Sequence, residues 1–231
     1  MKILVVDDDP VVQELLAVVL EKDGFEPLVA ADPPTALGIF ARELPSLALL
    51  DVNLGSWSGF DLLRDLRRRS SIPIIMLTVR AAEEDVLRGF NLGANDYVTK
   101  PFRYRELIAR IRAQLRGPDD QAWQIGQGGP LEVASLRLDP LSHTVRQQGH
   151  EIHVTPIEFR LLQYLMSHAG RVVPTRILLK QVWGYEDSEA SGVVRATVYR
   201  LRQKLEAANG PQILRTVPSV GVLLDAGEWS D

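Results

Sequence analysis

Four short apolar runs each end abruptly on polar residues, and no other feature restricts the fold of this chain so strongly. Ile3–Val6 runs into Asp7-Asp8, and Leu47–Leu50 into Asp51. Ile72–Leu77 ends on Thr78, and Tyr97–Thr99 on Lys100-Pro101. Between them lie amphipathic stretches. Val11 to Lys22 carries apolar residues at 11, 12, 15, 16, 19 and 20 and stops at Asp23-Gly24, a helical stripe with its stop signal. Phe25–Ala30 reads as a further strand. Helices are expected over Pro33–Glu43, Gly59–Arg69, residues 83–92 and Arg103–Arg116, the last with Tyr104, Leu107, Ile108, Ile111 and Leu115 on one face. Strands alternating with helices predict an α/β fold, a doubly wound parallel sheet of five strands. Right-handed crossovers and a flavodoxin-like order 2-1-3-4-5 bring the ends of strands 1 and 3 together. Ligands bind at the carboxyl ends of such strands, so Asp7, Asp8 and Asp51 are expected to share one pocket. Crowded carboxylates repel unless a cation neutralises them, which predicts a hard divalent metal, Mg²⁺ first.

Each polar residue alone has a bland explanation, an N-cap or a turn; four in this order, each at its own strand end, do not. The segments Val5-Val6-Asp7-Asp8-Asp9, Leu49-Leu50-Asp51-Val52-Asn53-Leu54, Leu77-Thr78 and Thr99-Lys100-Pro101-Phe102 resemble a two-component receiver domain. The resemblance covers residues 1 to about 116. It implies that Asp51 accepts a phosphoryl group from the phosphohistidine of a sensor histidine kinase. It implies that Asp8 and Asp51 ligate Mg²⁺ by carboxylate, Asn53 by its backbone carbonyl and Asp7 through water. Thr78 and Lys100 would hold phosphoryl oxygens, Tyr97 would rotate inward behind Thr78, and Lys100-Pro101 would be cis. The dimer face of that family is built from the fourth helix, fifth strand and fifth helix of the receiver. On it Asp96, Glu106 and Arg110 match, whereas Val86 replaces a basic residue and Asn95 an acid. Glu106 and Arg110 are therefore expected to lack their usual partners. Val79 stands where Ala is usual and should narrow the phosphoryl site, and Gly55 replaces the usual Pro.

A length of 231 residues suggests two domains. The expected division is a receiver over 1–116, a Gly/Pro-dense linker over 117–130 and a second domain over 131–231. Cysteine is absent, which excludes disulfides, Cys-ligated zinc and thiol catalysis. With no signal-peptide pattern after Met1-Lys2 and no apolar run of membrane-spanning length, no membrane association and a cytoplasmic location are expected. The net charge of −4 does not advertise nucleic-acid binding, so any DNA contact must come from a local patch.

The second half is patterned differently. Leu131–His153 reads as short antiparallel strands turning at Asp139-Pro140 and Gln148-Gly149. Helices are expected over Pro156–His168, Pro174–Trp183 and Gly192–Ala208, the first opened by a Thr155/Glu158 capping box with Pro156 at its first position. A hairpin over 213–224 completes a winged helix-turn-helix, an α+β unit. On the third helix Val194, Val198, Leu201 and Leu205 form the core stripe, and Arg195, Tyr199 and Arg202 an adjoining one. Residues 192–216 hold five basic groups against Glu206 alone. Such a patch neutralises phosphates, while the exposed stripe can read major-groove edges. Thr197, Arg200 and Lys204, with Arg215 and Thr216 in the hairpin, complete the candidate set for double-stranded DNA.

Leu161–Met166, Gly170–Val173, Val182-Trp183-Gly184-Tyr185 and Arg200–Leu205 resemble the DNA-binding domain of OmpR/PhoB response regulators, over about 131 to 225. That resemblance implies a phosphorylation-dependent homodimer on tandem DNA repeats, and a loop near Gly184–Glu189 that touches RNA polymerase. It departs from the family where Gly192 opens the recognition helix in place of Arg, and in the wing, Pro218-Ser219-Val220-Gly221-Val222, which lacks the usual Arg and Tyr. An enzyme using an aspartate nucleophile, a phosphatase, is disfavoured, because its nucleophile ends the first strand and no second acid follows Asp51 two residues on. An FMN binder is disfavoured by acids in the first loop. A third alternative is an interaction module with a vestigial DNA helix. The expected role is that of a phosphoacceptor regulator rather than an enzyme, its only reaction being Mg²⁺-dependent self-phosphorylation.

Overall fold

A computed structural model describes residues 1–79, 83–115, 129–185, 191–207 and 212–226. The chain divides into two compact units, Met1–Leu115 and Arg116–Asp231. The linker expected over 117–130 lies outside the described residues except for its last two.

In the first unit the apolar runs become β1 (Lys2–Val6), β2 (Glu26–Ala30), β3 (Leu47–Asp51), β6 (Ile74–Thr78) and β7 (Asp96–Thr99). They pair in parallel in the order β2-β1-β3-β6-β7, the flavodoxin-like order. Helices α1 (Pro10–Lys22), α2 (Pro33–Glu43), α3 (Gly59–Arg69), α4 (Glu83–Leu92) and α5 (Tyr104–Leu115) connect them. Covered on both faces, β3 is buried along its whole length, as uninterrupted apolar runs in parallel sheets require. Each fully buried Leu or Ile contributes about 1.5–3 kcal/mol. Asp9 and Asp32 cap α1 and α2, accepting from Val11 and Thr35 N–H at 2.8 Å, with Pro10 and Pro33 at the first helical positions. Asp9 is thereby committed to the helix, leaving Asp7 and Asp8 for the sheet edge.

Two features differ from expectation. After Asp51 the chain makes a small hairpin, β4 (Asn53–Leu54) with β5 (Trp57–Ser58), turning at Gly55 with φ +63°. Proline is locked near −65°, so Gly55 selects a backbone that proline cannot adopt. Tyr104 does not join the core stripe of α5. It is exposed, and its hydroxyl donates to Asp23 Oδ2 at 2.9 Å, tying α5 to the end of α1.

The second unit opens with an antiparallel sheet of β8 (Leu131–Val133), β9 (Leu136–Asp139), β10 (Thr144–Gln147) and β11 (His150–Glu151), in the order β11-β10-β9-β8. Helix α6 (Pro156–Met166) follows, then β12 (Val172–Pro174), α7 (Thr175–Leu178), α8 (Ser191–Ala207) and the hairpin β13 (Leu214–Val217)/β14 (Gly221–Leu224). The helix expected over Pro174–Trp183 is only partly regular. Val172–Pro174 is drawn into the hairpin sheet, ordered β12-β14-β13, with Pro174 opposite Gly221 at the end of its strand. A Cβ on Gly221 would lie 2.0 Å from Val173 O, so this close pairing requires glycine. Leu179–Trp183 then forms a π turn that ends at Gly184 with φ +74°. Such turns absorb one extra residue within a helix.

Candidate functional site

The carboxyl edge of the first sheet assembles as the strand ends require. Val6 pairs with Leu50, so Asp7 and Asp51 follow side by side. Ligand atoms of Asp7, Asp8 and Asp51 lie within 4.8 Å of one another. Asp7 is buried, and its Oδ1 accepts from Asp9 N–H at 3.1 Å. Asp51 Oδ1 accepts from Asn53 N–H at 3.1 Å, and Asn53 itself is exposed. Lys100 closes the pocket. Its ammonium reaches Asp7 Oδ2 at 2.5 Å and also bonds Asp51 Oδ2, while its N–H donates to Thr78 O at 2.6 Å. The Lys100–Pro101 bond is cis, as the resemblance implied. Burial pushes the Asp7 carboxyl up, and Lys100 offsets that only in part. Burial pulls the Lys100 ammonium down, but its bonds to Asp51 and Asp7 outweigh this and hold it above its ordinary value. Three carboxylates drawn together, two of them bonded to one ammonium, fit a hard cation such as Mg²⁺.

Residues not singled out in the sequence position this edge. A Cβ on Gly59 would lie 1.9 Å from Asp51 O, and Gly59 N–H donates to Val52 O at 2.8 Å. Only glycine lets α3 start against the backbone of the strand that carries Asp51. The clue was a glycine opening a helix where alanine is ordinarily preferred. Gln13 Nε2 donates to Asp7 O at 2.5 Å, fixing the first strand end from α1. Thr78 is buried beside the pocket. Val79, expected to narrow access to it, stands one residue beyond the strand and is 64% exposed.

Tyr97 is 9% exposed, with its ring edge-on to Phe90 at 5.1 Å and its hydroxyl donating to Asp85 O at 3.1 Å. Burial pushes its phenol well up from the ordinary value. Beside it, buried Asp96 receives Arg110 through both carboxylate oxygens at 3.2 Å, and Arg110 also reaches Glu106 Oε1 at 2.8 Å. Glu106 and Arg110, expected to lack their usual partners across a dimer, are paired with each other and with Asp96 within the chain. Asn95 does not stand on that face. It is buried, its Oδ1 accepting from Ile74 N–H at 2.9 Å and from Arg67.

On α8 the stripe Val194, Val198, Leu201 and Leu205 is buried as expected, with Arg195 exposed and Tyr199 48% exposed. Thr197 and Arg200 correct the candidate DNA set. Thr197 is fully buried, its hydroxyl donating to Val193 O at 2.8 Å. Arg200 is buried against Glu158 at 3.3 Å, and Lys204 reaches the other Glu158 oxygen at 2.7 Å. The cause lies in α6, where Glu158 also accepts from Thr155 N–H at 2.8 Å, closing the expected capping box. Burial pushes the Glu158 carboxyl up, but Lys204 and Arg200 outweigh it and hold it below the usual carboxylate range. Arg202 braces helix to hairpin, with Nε on Leu214 O and Nη2 on Thr216 Oγ1, both at 3.0 Å. Arg215 pairs with Asp225 at 3.0 Å. A groove lined by Arg176, Val194, Arg195, Val198, Thr216 and Val220 separates α8 from the hairpin tip. The expected polymerase loop lies outside the described residues from position 186 onward.

A phosphoacceptor-type acidic edge in one unit and a winged helix in the other define a response regulator with a DNA-binding output. Residues 3–112 match the response regulator receiver domain, and residues 149–224 the C-terminal domain of transcriptional regulatory proteins. The chain belongs to the two-component response regulators of OmpR/PhoB type. It is 41% identical over 221 residues to the DNA-binding response regulator MtrA of Mycolicibacterium smegmatis, covering 95% of each chain. It is 43% identical over 226 residues to the sensory transduction protein RegX3 of Mycobacterium bovis, covering 96% of this chain and 98% of that one. Among solved structures, a RitR mutant aligns with TM-score 0.76 and 28% identity over 98% of this chain and 99% of that one. The family is one of regulators, which sets aside the phosphatase and FMN readings. No helix among the described residues is long and apolar enough to cross a membrane.

Proposed function

We propose that Asp51 is the phosphoacceptor of a transcription factor switched by phosphorylation. The observation that carries this reading is the Lys100 ammonium shared between Asp51 and Asp7 beside buried Thr78. Asp7, Asp8 and Asp51, with the Asn53 backbone carbonyl, would hold Mg²⁺. Bound there, the metal would supply positive charge that offsets the negative charge of a transferring phosphoryl group. An Asp51 carboxylate oxygen attacks the phosphorus of a kinase phosphohistidine, the P–N bond breaks and the imidazole leaves. Lys100 then exchanges its bond to Asp51 for one to a phosphoryl oxygen, and the Thr78 hydroxyl donates to another.

The apolar stripe of α1 is wider than the core uses. Leu16 and Leu20 are buried, whereas Val11, Leu15 and Val18 stand exposed on the helix that starts beside the acids, a face suited to the kinase. Movement of Thr78 and Tyr97 alters the α4-β7-α5 surface bearing Asp96, Glu106 and Arg110, and the altered surface forms a homodimer. Two tethered output domains then gain effective concentration on paired half-sites, and the loop after Gly184 contacts RNA polymerase. Arg195 and Tyr199 read the major groove. Arg202, Lys204, Arg215 and Thr216 meet phosphates with the donors their internal bonds leave over. The test is labelling by acetyl phosphate in Mg²⁺. Asp51→Ala and chelation of the metal should each abolish it, and stable label on the Ala variant would overturn the assignment.

A further inference from the structure

Gly89 occupies the interior of α4, where glycine is less favourable than alanine and no positive φ demands it. Its position has another explanation. A Cβ at residue 89 would lie 1.6 Å from the Tyr97 hydroxyl oxygen, 2.6 Å from Cζ and 2.9 Å from Cε2. All three atoms belong to one side chain, which strand β7 holds from one side and Phe90 borders edge-on from the other. The hydroxyl is bonded to Asp85 O one helical turn before Gly89, so the tip of the ring occupies the place where a side chain at residue 89 would project. A rigid ring cannot bend clear of a Cβ at these distances, so a side chain at residue 89 would displace it from this seat as a whole.

We propose that Gly89 is a positioning residue for Tyr97: its missing side chain is the seat that lets the ring bury against α4. Through that seat the phosphoacceptor edge is coupled to the α4-β7-α5 surface. Tyr97 lies three residues before Lys100, pairs with Met76 two residues before Thr78, and donates its N–H to Asp96 Oδ1 at 2.8 Å. Asp96 in turn holds Arg110. A change in the ring's seat therefore reaches the pocket and the Arg110 network along one strand. The coupling rests on the phosphoacceptor reading above, whereas the seat itself does not.

The test uses the full chain labelled with 3-fluorotyrosine, the Tyr97 resonance being assigned by its loss in Tyr97→Phe. Gly89→Ala should move that resonance to a solvent-exposed position with a full H₂O/D₂O shift. Unchanged burial of Tyr97 in this variant overturns the proposal. A thermal-stability cycle guards against a general folding defect. Gly89→Ala should lower the melting temperature in the wild type but raise it in a Tyr97→Ala background, where only helix propensity acts. The same sign in both backgrounds overturns the seat. Labelling of Asp51 by acetyl phosphate should persist in Gly89→Ala, while beryllofluoride-driven self-association weakens by roughly tenfold, within the usual range of allosteric couplings. Full association with an exposed Tyr97 overturns the coupling. A wild type that neither labels nor associates would instead sink the phosphoacceptor reading, and the ring measurement would then decide the role of Gly89 on its own.

Discussion

Replacing Glu158 by Gln should destabilise the output domain far more than its single side chain suggests. The carboxylate is 1% exposed and accepts from Thr155 N–H, Arg200 Nε and Lys204 Nζ at 2.8, 3.3 and 2.7 Å. Gln keeps the shape and can still close a capping box, so the cap adds little to the loss. Lys204 is about one-third exposed, and its pair is worth no more than about 1 kcal/mol. The dominant effect is that buried Arg200 loses its ion pair with Glu158, and breaking a buried pair costs about 3–5 kcal/mol. Against a domain stability of about 5–15 kcal/mol, this moves a urea midpoint by roughly 2 M for an m-value near 2 kcal/mol/M. The assay is urea unfolding of the full chain followed by circular dichroism, with the receiver transition as an internal control. Acid provides a second arm. The folded Glu158 carboxyl lies below its ordinary value, so its stabilisation is fully present above the unfolded value of about 4.3. It is lost as pH falls through the lower folded value. The gap between wild type and Glu158→Gln should therefore shrink towards pH 3. A midpoint shift under about 0.5 M, or a gap equally wide at pH 7 and pH 3, would refute the reasoning. Replacing Glu158 and Arg200 together by Leu should recover much of the loss, since an apolar pair leaves no buried charge.

Three further outcomes follow from the same geometry. Arg110→Ala should reduce beryllofluoride-driven dimerisation, measured by sedimentation, only in part, because Arg110 is also needed within its own chain by Asp96 and Glu106; a complete loss without change in monomer stability would contradict this. Arg195→Ala should cost about 1–3 kcal/mol on a selected duplex and relax the preference at one base pair; an equal loss on random DNA would make it a phosphate contact. Pro218→Ala should change DNA affinity little, since proline has no side-chain donor to lose, and a large loss would move recognition from the helix to the wing.

The pocket was legible in the sequence because strands are short and local. An apolar run ending on Asp7-Asp8, Asp51, Thr78 or Lys100 specifies both a buried strand and what stands at its end. Crossover handedness then permits few ways of joining them. The Thr155/Glu158 box was equally local. What tertiary structure alone decided is which neighbour covers a given face. Periodicity places Arg200 and Lys204 on a flank of α8, yet their availability to DNA depends on a carboxylate more than forty residues earlier in the chain. Glu158 was visible as a helix cap, but its second role exists only once α6 and α8 pack. Asn95 likewise passes from surface to interior because Arg67 reaches it across 28 positions of sequence. Gly59 and Gly89 are the extreme case, since an absent side chain has no pattern of its own and is explained only by the Asp51 backbone and the Tyr97 ring that fill its place.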